Sequence, residues 1–474
     1  MSSITEAITT MILRDPIHNL LYDPRLKEGS FQSVRERFRI IDTLSECKGS
    51  DYLVSPAYAF LNDSQQREYF EQEFKKENKL SADFTFEKIK PIIHSNIIVA
   101  RENIESNIKK VMEYLKKAQA PDTGGWDFIS KEDLLKILPT RKDEIKSLQR
   151  PRFSNAWTVA TCIRALLKWR AYMSDDSVDP YIKKGLGWLR KNKACELHDT
   201  FIEGLDSLPA ELGPSSIKIY DTSYGLLAFL YAPPEAGGAS MESVPYLDTV
   251  IRYFSLEDRC WLLNSRPDVG ATSYSLYTLI RYYEKCTRPE EDRSRCKYLS
   301  DVERLINDGA KWLLENRVKE GWSNSISPER PRVDKTCLAA NALIKYCELF
   351  QCDDKYFDAV ENAVEFVSRN FFFTSEGKDR GWAWLDANNK PDIYMTTLAL
   401  NMLFKYSGDT NLPHIKHGTI WVLNQWQAEN GKNEHDNKEG NSGQIPEIHP
   451  MDKVYILCSV LDYLHCRYGR GKQI

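Results

Sequence analysis

The sequence has no long apolar run, no cluster of basic residues and no paired-cysteine motif. Its 474 residues include 64 basic and 68 acidic side chains spread along the chain, for a formal net charge of -4. Proteins that bind nucleic acid neutralise phosphates with clustered Lys and Arg, so we expect no such partner. No apolar stretch has the length of a membrane span. The acidic residues of "MSSITEAITTMILRDP" are not typical of a signal peptide.

The eleven cysteines are scattered rather than regularly spaced. Several lie inside helical patterns such as "AWTVATCIRALLKW" and "VYILCSVLDYLHC". Free cysteine behaves as a small core residue, whereas disulfide frameworks and zinc sites have characteristic spacings. The pattern therefore predicts reduced core cysteines and a cytoplasmic protein.

Six segments share small and apolar residues at helical spacing. In each segment a Thr or Val stands seven residues before a Leu or Phe, and the steps between segments are 50 to 64 residues. The aligned positions are Val159, Thr222, Thr272, Thr336, Thr396 and Val454. These helices are apolar on nearly all sides, so we expect them to be buried.

A second type of helix, amphipathic and richer in charge, precedes most of these segments. Examples are "VMEYLKKAQ", "KGLGWLRKN" and "DGAKWLLEN", whereas the segment before Thr272 fits only loosely. Gly-Trp turns such as "KEGWSN" and "DRGWAW" join the two types. Six alternating pairs predict an open solenoid or a closed ring, and the all-round apolar inner helices favour the ring. Residues 1–97 lie outside the repeat, as an extension of unknown role.

These repeats resemble the terpenoid cyclase and protein prenyltransferase superfamily over roughly residues 98–474. The similarity lies in the aromatic-Leu-x-x-x-Gln/Asn outer helices, the Gly-Trp turns and the starts of the inner helices. It implies an all-α fold, an (α/α)6 toroid of six inner and six outer helices with an N-terminal extension. It also implies a central cavity for an isoprenoid or another apolar small molecule.

Class II cyclases such as squalene–hopene cyclase carry an Asp-x-Asp-Asp-Thr-Ala motif, whose central Asp protonates an alkene or epoxide. In "RVDKTC" Asp334 stands at that position and Thr336 at the Thr, but Arg332 and Lys335 replace the flanking acids. The resemblance implies that Asp334 is a general acid and that inner-helix aromatics bind the ligand and stabilise carbocations. These aromatics are Trp157, Tyr224, Tyr274, Tyr277, Tyr394 and Tyr455. Ordinary core packing is the alternative explanation for them.

Protein prenyltransferases instead hold zinc with an Asp, a Cys and a His. Asp334 stands at the Asp position, but Cys337 is one residue too far along and Lys453 stands near the His position. His449 is about one helical turn too early. The sequence also contains no Ser-His-Asp arrangement, phosphate-binding Gly-rich loop or HExxH helix. We therefore predict no metal and no cofactor.

Asp334 could also be a helix N-cap, because an Asp before a helix satisfies free backbone N–H groups. Asp221, Asp392 and Asp452 stand at similar helix starts, and recurrence favours capping over catalysis. Two functions therefore stay open. One is a class II-like terpenoid cyclase, and the other is a non-catalytic toroid that binds a lipid or a protein partner. A dry aromatic cavity reaching Asp334 would favour the first, and a plugged or polar interior the second.

Overall fold

The computed structural model describes residues 105–468, with gaps at 107, 138, 198–200, 206–216, 289–295, 325–329, 351, 374–379, 384–389, 408–412 and 433–448. The chain divides into two compact units, Met1–Lys110 and Val111–Ile474, and nearly all described residues belong to the second. The predicted extension of residues 1–97 lies outside the described residues, so its role and boundary stay predictions.

The described part of the second unit is mainly helical. In chain order its helices are α1 (111–118 within this unit), α2 (Lys131–Ile137), α3 (Lys142–Ser147), α4 (Ala156–Met173), α5 (Asp179–Lys191), α6 (Ile219–Tyr231), α7 (Leu247–Arg252), α8 (Val269–Cys286), α9 (Leu299–Glu315), α10 (Val333–Leu349), α11 (Asp354–Arg369), α12 (Ile393–Ser407), α13 (Pro413–Lys432) and α14 (Pro450–Tyr468). None of these described helices combines the length and apolarity needed to cross a bilayer.

Short antiparallel strands lie between the helices. The pairs are β1 (Ile129–Ser130) with β2 (Arg152–Phe153), β3 (Ala194–Leu197) with β4 (Phe201–Gly204), and β8 (Phe372–Phe373) with β9 (Arg380–Gly381). A three-stranded sheet is formed by β5 (Phe254–Ser255), β6 (Cys260–Leu263) and β7 (Arg266–Pro267). These strands connect helices and do not form a layer of their own.

Six of the described helices form a closed ring. Helix α4 packs against α6, α6 against α8, α8 against α10, α10 against α12, and α12 against α14, which returns to α4. Outside them, α5 packs on α4, α7 on α6, α9 on α8, α11 on α10 and α13 on both α12 and α14. The ring confirms the predicted all-α toroid and excludes the open solenoid.

Burial explains why the two helix types occupy different places. In the inner helix α6, eleven of 13 residues are buried. In the outer helix α9, only seven of 17 are buried, at the three- and four-residue steps of a single apolar stripe. A helix that is apolar all round must be covered on every side, so it lies in the ring.

A buried tryptophan closes four of the junctions between outer and inner helices. These residues are Trp126, Trp261, Trp322 and Trp382, and none of them is exposed to solvent. Each indole N–H donates, at 2.6 to 2.9 Å, to a carbonyl in the last turn of the preceding outer helix. Carbonyls in that turn have no partner within the helix, so the indole satisfies one of them.

The aligned threonines attach these turns to the inner helices. The backbone N–H of Trp322 donates to Thr336 Oγ1 at 3.0 Å, and that of Trp382 donates to Thr396 Oγ1 at 3.0 Å. A Cβ on Gly321 would lie 2.4 Å from Thr336 Oγ1, so this turn requires glycine. The threonine that resembles part of a cyclase motif therefore has a structural role in the repeat.

One disulfide corrects the cysteine prediction. Cys286, the last residue of α8, is bonded to Cys296, with Cα atoms 5.9 Å apart. The expectation that all cysteines are reduced is wrong for this pair. The other cysteines of the described residues are free, and Cys162, Cys260 and Cys337 among them are buried. The cytoplasmic location stays a prediction.

Candidate functional site

Asp334 is buried at the start of α10, with 7% of its surface exposed. It is the second residue of the helix; Arg332 is the N-cap residue and makes no side-chain capping bond. Instead, Arg332 Nε donates to Asp334 Oδ1 at 3.0 Å. The N-cap interpretation of Asp334 is therefore wrong.

The true caps stand four residues before the aligned Thr or Val, where α10 has Arg332. Asn155, Asp268 and Asp392 occupy that position at α4, α8 and α12. The side chain of each accepts the backbone N–H of the third residue after it, at 2.8 to 2.9 Å. Asp334 comes two residues later in the repeat, so its carboxylate is not equivalent to these caps.

Lys335 contacts α6, which is not adjacent to α10 in the ring. Its Nζ donates to the Tyr220 hydroxyl at 3.1 Å, and that hydroxyl donates to Asp268 Oδ1 at 2.7 Å. Burial and the Asp268 carboxylate raise the pKa of Tyr220. A Cβ on Gly270 would lie 1.8 Å from the Tyr220 hydroxyl oxygen, so glycine leaves room for this contact.

Five of the six predicted aromatics contact one another inside the ring. The ring centroids of Trp157 and Tyr224 are 4.0 Å apart, those of Tyr224 and Tyr274 are 4.6 Å apart, and those of Tyr394 and Tyr455 are 5.1 Å apart. Trp157 Nε1 donates to the Tyr455 hydroxyl at 3.0 Å, and the Tyr224 hydroxyl donates to that of Tyr274 at 3.0 Å. Trp157 also lies 5.9 Å from Tyr274, although their helices α4 and α8 are not neighbours in the ring. The cluster therefore occupies space inside the ring and joins helices that are not adjacent.

Tyr277, the sixth predicted aromatic, lies farther along α8 in the wall of a pocket. This basic pocket is lined by Arg164 and Lys168 of α4, Tyr277 and Arg281 of α8, Lys345 and Glu348 of α10, Asn401 and Lys405 of α12, and Asp462 and His465 of α14. Its volume is about 70 Å³, which is room for several waters or a small ion. The pocket is built from the C-terminal halves of the inner helices, whereas Asp334 stands at the N-terminal start of one.

Three of the five described cations of the pocket are paired with carboxylates. The pairs are Lys168–Asp462, Lys345–Glu284, Lys345–Glu348 and Arg281–Glu284, with N···O distances of 2.5 to 3.0 Å. Asn401 Nδ2 also donates to Asp462 Oδ2, at 2.8 Å. The carboxylates of the wall are therefore already occupied by these three cations.

Arg164 and Lys405 have no carboxylate partner among the described residues. The Arg164 guanidinium lies 5.2 Å from the centroid of the Tyr224 ring. Lys405 Nζ lies 4.4 Å from the centroid of the Tyr277 ring and donates to its hydroxyl at 3.2 Å. Burial lowers the pKa of Lys405. Burial alone would raise the pKa of Tyr277, but the positive charges of Lys405 and Arg281 bring it down to about 7.

The repeat itself carries a signal for this pocket, in addition to the motifs described from the sequence above. Five residues after the aligned Thr or Val stand Arg164, Leu227, Tyr277, Asn341, Asn401 and Ser459. Nine residues after it stand Lys168, Tyr231, Arg281, Lys345, Lys405 and Tyr463. Positions four apart share one helix face. A polar residue therefore recurs on the same face of each inner helix, and at the second position it is always Lys, Arg or Tyr.

Asp452, in the first turn of α14, provides a pH-dependent test of the described geometry. Burial and the nearby Asp392 carboxylate raise its pKa to about 6, against an opposing effect of His449. The folded state thus holds this proton more tightly than the unfolded chain, whose Asp has a pKa of about 3.9. Stability contributed by the protonated form is lost as the pH rises from about 4 to about 6.

We expect Asp452→Asn to raise the free energy of unfolding at pH 7.5 by about 1–2 kcal/mol, and to change it little at about pH 4. Urea titrations at both pH values measure this difference. Asp354→Asn, at the exposed first position of α11, is the matched control and should give no pH-dependent gain. Equal effects of the two substitutions at both pH values would contradict the raised pKa.

Within the described residues no group of His, Cys, Asp and Glu side chains is arranged to hold a metal ion. Comparison with known proteins gives neither a matching family model nor a matching curated sequence. Similarity is found to solved structures, and those described below are 10–13% identical to this chain.

A family 76 glycoside hydrolase from a bovine Bacteroides thetaiotaomicron strain has a TM-score of 0.50 and 12% identity, covering 75% of this chain and 77% of that chain. A family 76 mannosidase from Bacteroides thetaiotaomicron has a TM-score of 0.50 and 13% identity, covering 77% and 99%. A type II terpene cyclase from Scytonema, in complex with geranylgeranyl dihydroxybenzoate, has a TM-score of 0.42 and 10% identity, covering 78% and 98%. The first two similarities support the toroid fold. They leave the family open.

Proposed function

We propose that this toroid binds a small anion in the basic pocket, as a binding protein rather than a cyclase. The observation that carries the proposal is the pair of cations, Arg164 and Lys405, that have only tyrosine partners among the described residues. Removing a cation from water without a counter-ion is unfavourable. A bound anion between these two residues would offset that penalty.

The charge balance of the pocket favours the same ligand. Its five described cations meet three carboxylates, those of Glu284, Glu348 and Asp462, which leaves an excess of two positive charges while Tyr277 is protonated. The guanidinium fork of Arg164 suits a phosphate or carboxylate group. Ile344, Phe404 and Leu461 add apolar surface to the wall. We therefore propose a ligand with a phosphate or carboxylate head and a short apolar body.

The cyclase hypothesis receives less support from the residues around Asp334. A general acid must present its proton to the substrate, whereas the Asp334 carboxylate is paired with the Arg332 guanidinium at 3.0 Å. The aromatics that would surround a carbocation contact each other, and Trp157 and Tyr274 are in contact although their helices are not adjacent. An isoprenoid ligand would need that space. The mannosidase activity named for a structural neighbour is not carried over, because 13% identity supports the fold alone.

Arg164→Gln and Lys405→Gln are each expected to weaken anion binding about tenfold or more, because each removes a charge-assisted contact of about 1.5–3 kcal/mol. Isothermal titration with sulfate, phosphate and acetate measures the affinity and separates phosphate-like from carboxylate ligands. Arg170→Gln is the matched control on the same helix, since Arg170 pairs with Asp179 outside the pocket, at 2.7 Å. The proposal fails if none of the three anions binds, or if all three variants bind like the unmodified protein.

A further inference from the structure

We propose further that Tyr277 is the resident counter-ion of the basic pocket: its phenolate neutralises Lys405 while the pocket is empty, and it takes up a proton when an anion binds. This inference rests on the proposed anion binding and adds its regulation. No covalent bond changes. One proton passes from the solvent to the phenolate oxygen, and the anion takes over the interaction with Lys405.

The Tyr277 hydroxyl oxygen is surrounded by hydrogen-bond donors, as the oxygen of a phenolate would be. Lys405 Nζ donates to it at 3.2 Å, and the Tyr231 hydroxyl lies 3.2 Å away on another helix. Burial and the neighbouring Tyr277 raise the pKa of Tyr231, so Tyr231 keeps its proton and acts as the donor. The Tyr277 oxygen thus has an ammonium group and a hydroxyl donor directed at it from α12 and α6.

The other charges that face Tyr277, from its own helix and from α4, also favour its phenolate. Arg164 of α4 and Arg281 of α8 act on it together with Lys405, and these charges bring the pKa of Tyr277 to about 7. The wall carboxylates, Asp462 of α14 and Glu348 of α10, are bound by Lys168 and Lys345. Tyr277 is therefore the acidic group left to neutralise Lys405.

Two other titratable groups of α14 line the same pocket. Burial raises the pKa of the Cys466 thiol to about 12, so it stays neutral in the range of interest. His465 is the other of these two ionisable side chains in the pocket wall. Separate variants of Tyr277 and His465 therefore identify the residue responsible for a fall in anion affinity with rising pH.

The sign of the linkage follows from competition. A bound anion and the phenolate compete for Lys405, so the anion favours protonated Tyr277. Sulfate affinity should therefore fall by up to about tenfold for each pH unit above about 7, because the proton must be taken from an ever lower concentration. Sulfate is the probe because it stays a dianion throughout this range.

The first measurement is the near-ultraviolet absorbance of tyrosinate in the ligand-free protein. One tyrosinate should form near pH 7, disappear in Tyr277→Phe, and form only in the alkaline range, at about pH 10 or above, in Lys405→Met. Tyr282→Phe is the matched control on α8; the Tyr282 hydroxyl donates to the Lys297 carbonyl at 2.8 Å, away from the pocket. It should keep the titration near pH 7.

The second measurement is calorimetric titration with sulfate at about pH 8 in two buffers of different ionisation enthalpy. We expect uptake of close to one proton per sulfate in the unmodified protein and in His465→Gln, and almost none in Tyr277→Phe. Absence of the tyrosinate near pH 7 overturns the inference whether or not sulfate binds. Sulfate binding without proton uptake also overturns it. A normal tyrosinate titration with no sulfate binding defeats the proposed function and the coupling together, and leaves Tyr277 as the counter-ion of Lys405.

Discussion

Trp322→Ala is expected to lower the free energy of unfolding by about 3–5 kcal/mol, because it removes a large buried side chain and the surrounding residues relax only partly into the cavity. Trp322 is fully buried, and its indole N–H donates to the Leu313 carbonyl at 2.7 Å. The substitution therefore leaves a cavity and also an unsatisfied carbonyl at the end of α9. Urea unfolding followed by circular dichroism measures the loss.

Two further substitutions identify the cause of this loss of stability. Trp322→Phe keeps most of the ring but loses the N–H donor, and we expect a smaller loss of about 1–3 kcal/mol. Phe357→Ala changes an aromatic that is 49% exposed on the outer helix α11, and it should alter stability by much less. If Trp322→Ala destabilised the protein no more than Phe357→Ala, the tryptophan would not hold the junction.

The ring could be predicted from the sequence because its helices carry a strong and repeated signal. The aligned Thr or Val falls in the first turns of each inner helix, as Thr336 does in α10 and Thr396 in α12. The third repeat was harder to recognise because its outer helix, α7, has only six residues. An apolar stripe needs several turns to show its period. In this repeat Cys260 also stands where the other Gly-Trp turns have glycine. The indole of Trp261 nevertheless donates to a carbonyl at the end of the outer helix, as in the other repeats.

The site predicted from the sequence lies at the N-terminal start of α10, whereas the basic pocket lies farther along the inner helices. A single motif indicates Asp334, but the contacts of this residue depend on how the neighbouring cations are oriented. Lys335 donates to Tyr220, whereas Arg332 pairs with Asp334. Sequence separation does not decide between these orientations. The register could have excluded capping, since Arg332 is at the position where Asp268 and Asp392 cap their helices.

The basic pocket was not predicted from the sequence, because its charged residues lie in helices whose other residues are mostly apolar. Arg164 and Lys168 lie within "VATCIRALLKW", where apolar residues dominate the pattern. Their partners also come from distant parts of the chain, as Lys168 and Asp462 are 294 residues apart. Whether a cation is paired is a property of the closed ring, and spacing along the chain does not contain it. Only the recurrence of Lys, Arg or Tyr on one face indicates the pocket in advance.

Gly185→Ala and Gly187→Ala are expected to change stability in opposite directions, although the two residues are two positions apart on α5. A Cβ on Gly185 would lie 2.9 Å from Trp126 Cζ3 and 2.9 Å from Ile163 Cγ1. Overpacking of this kind lowers the free energy of unfolding by about 1–3 kcal/mol. A Cβ on Gly187 would meet nothing within 4 Å, so the better helix propensity of Ala should raise stability by up to about 1 kcal/mol.

The same denaturation experiment tests whether outer helices dock on the junction tryptophans through small residues. Gly309 of α9 faces Trp261, and Gly418 of α13 faces Trp382. A Cβ on these glycines would lie 2.9 Å and 3.1 Å, respectively, from the Cζ3 atom of the indole. Gly309→Ala should therefore behave like Gly185→Ala. If Gly185→Ala and Gly309→Ala instead stabilised the protein as Gly187→Ala does, the outer helices would tolerate a wider separation from the ring. Close contact between an outer helix and the junction tryptophan would then not be required to hold the inner helices, and the pocket that they form, in register.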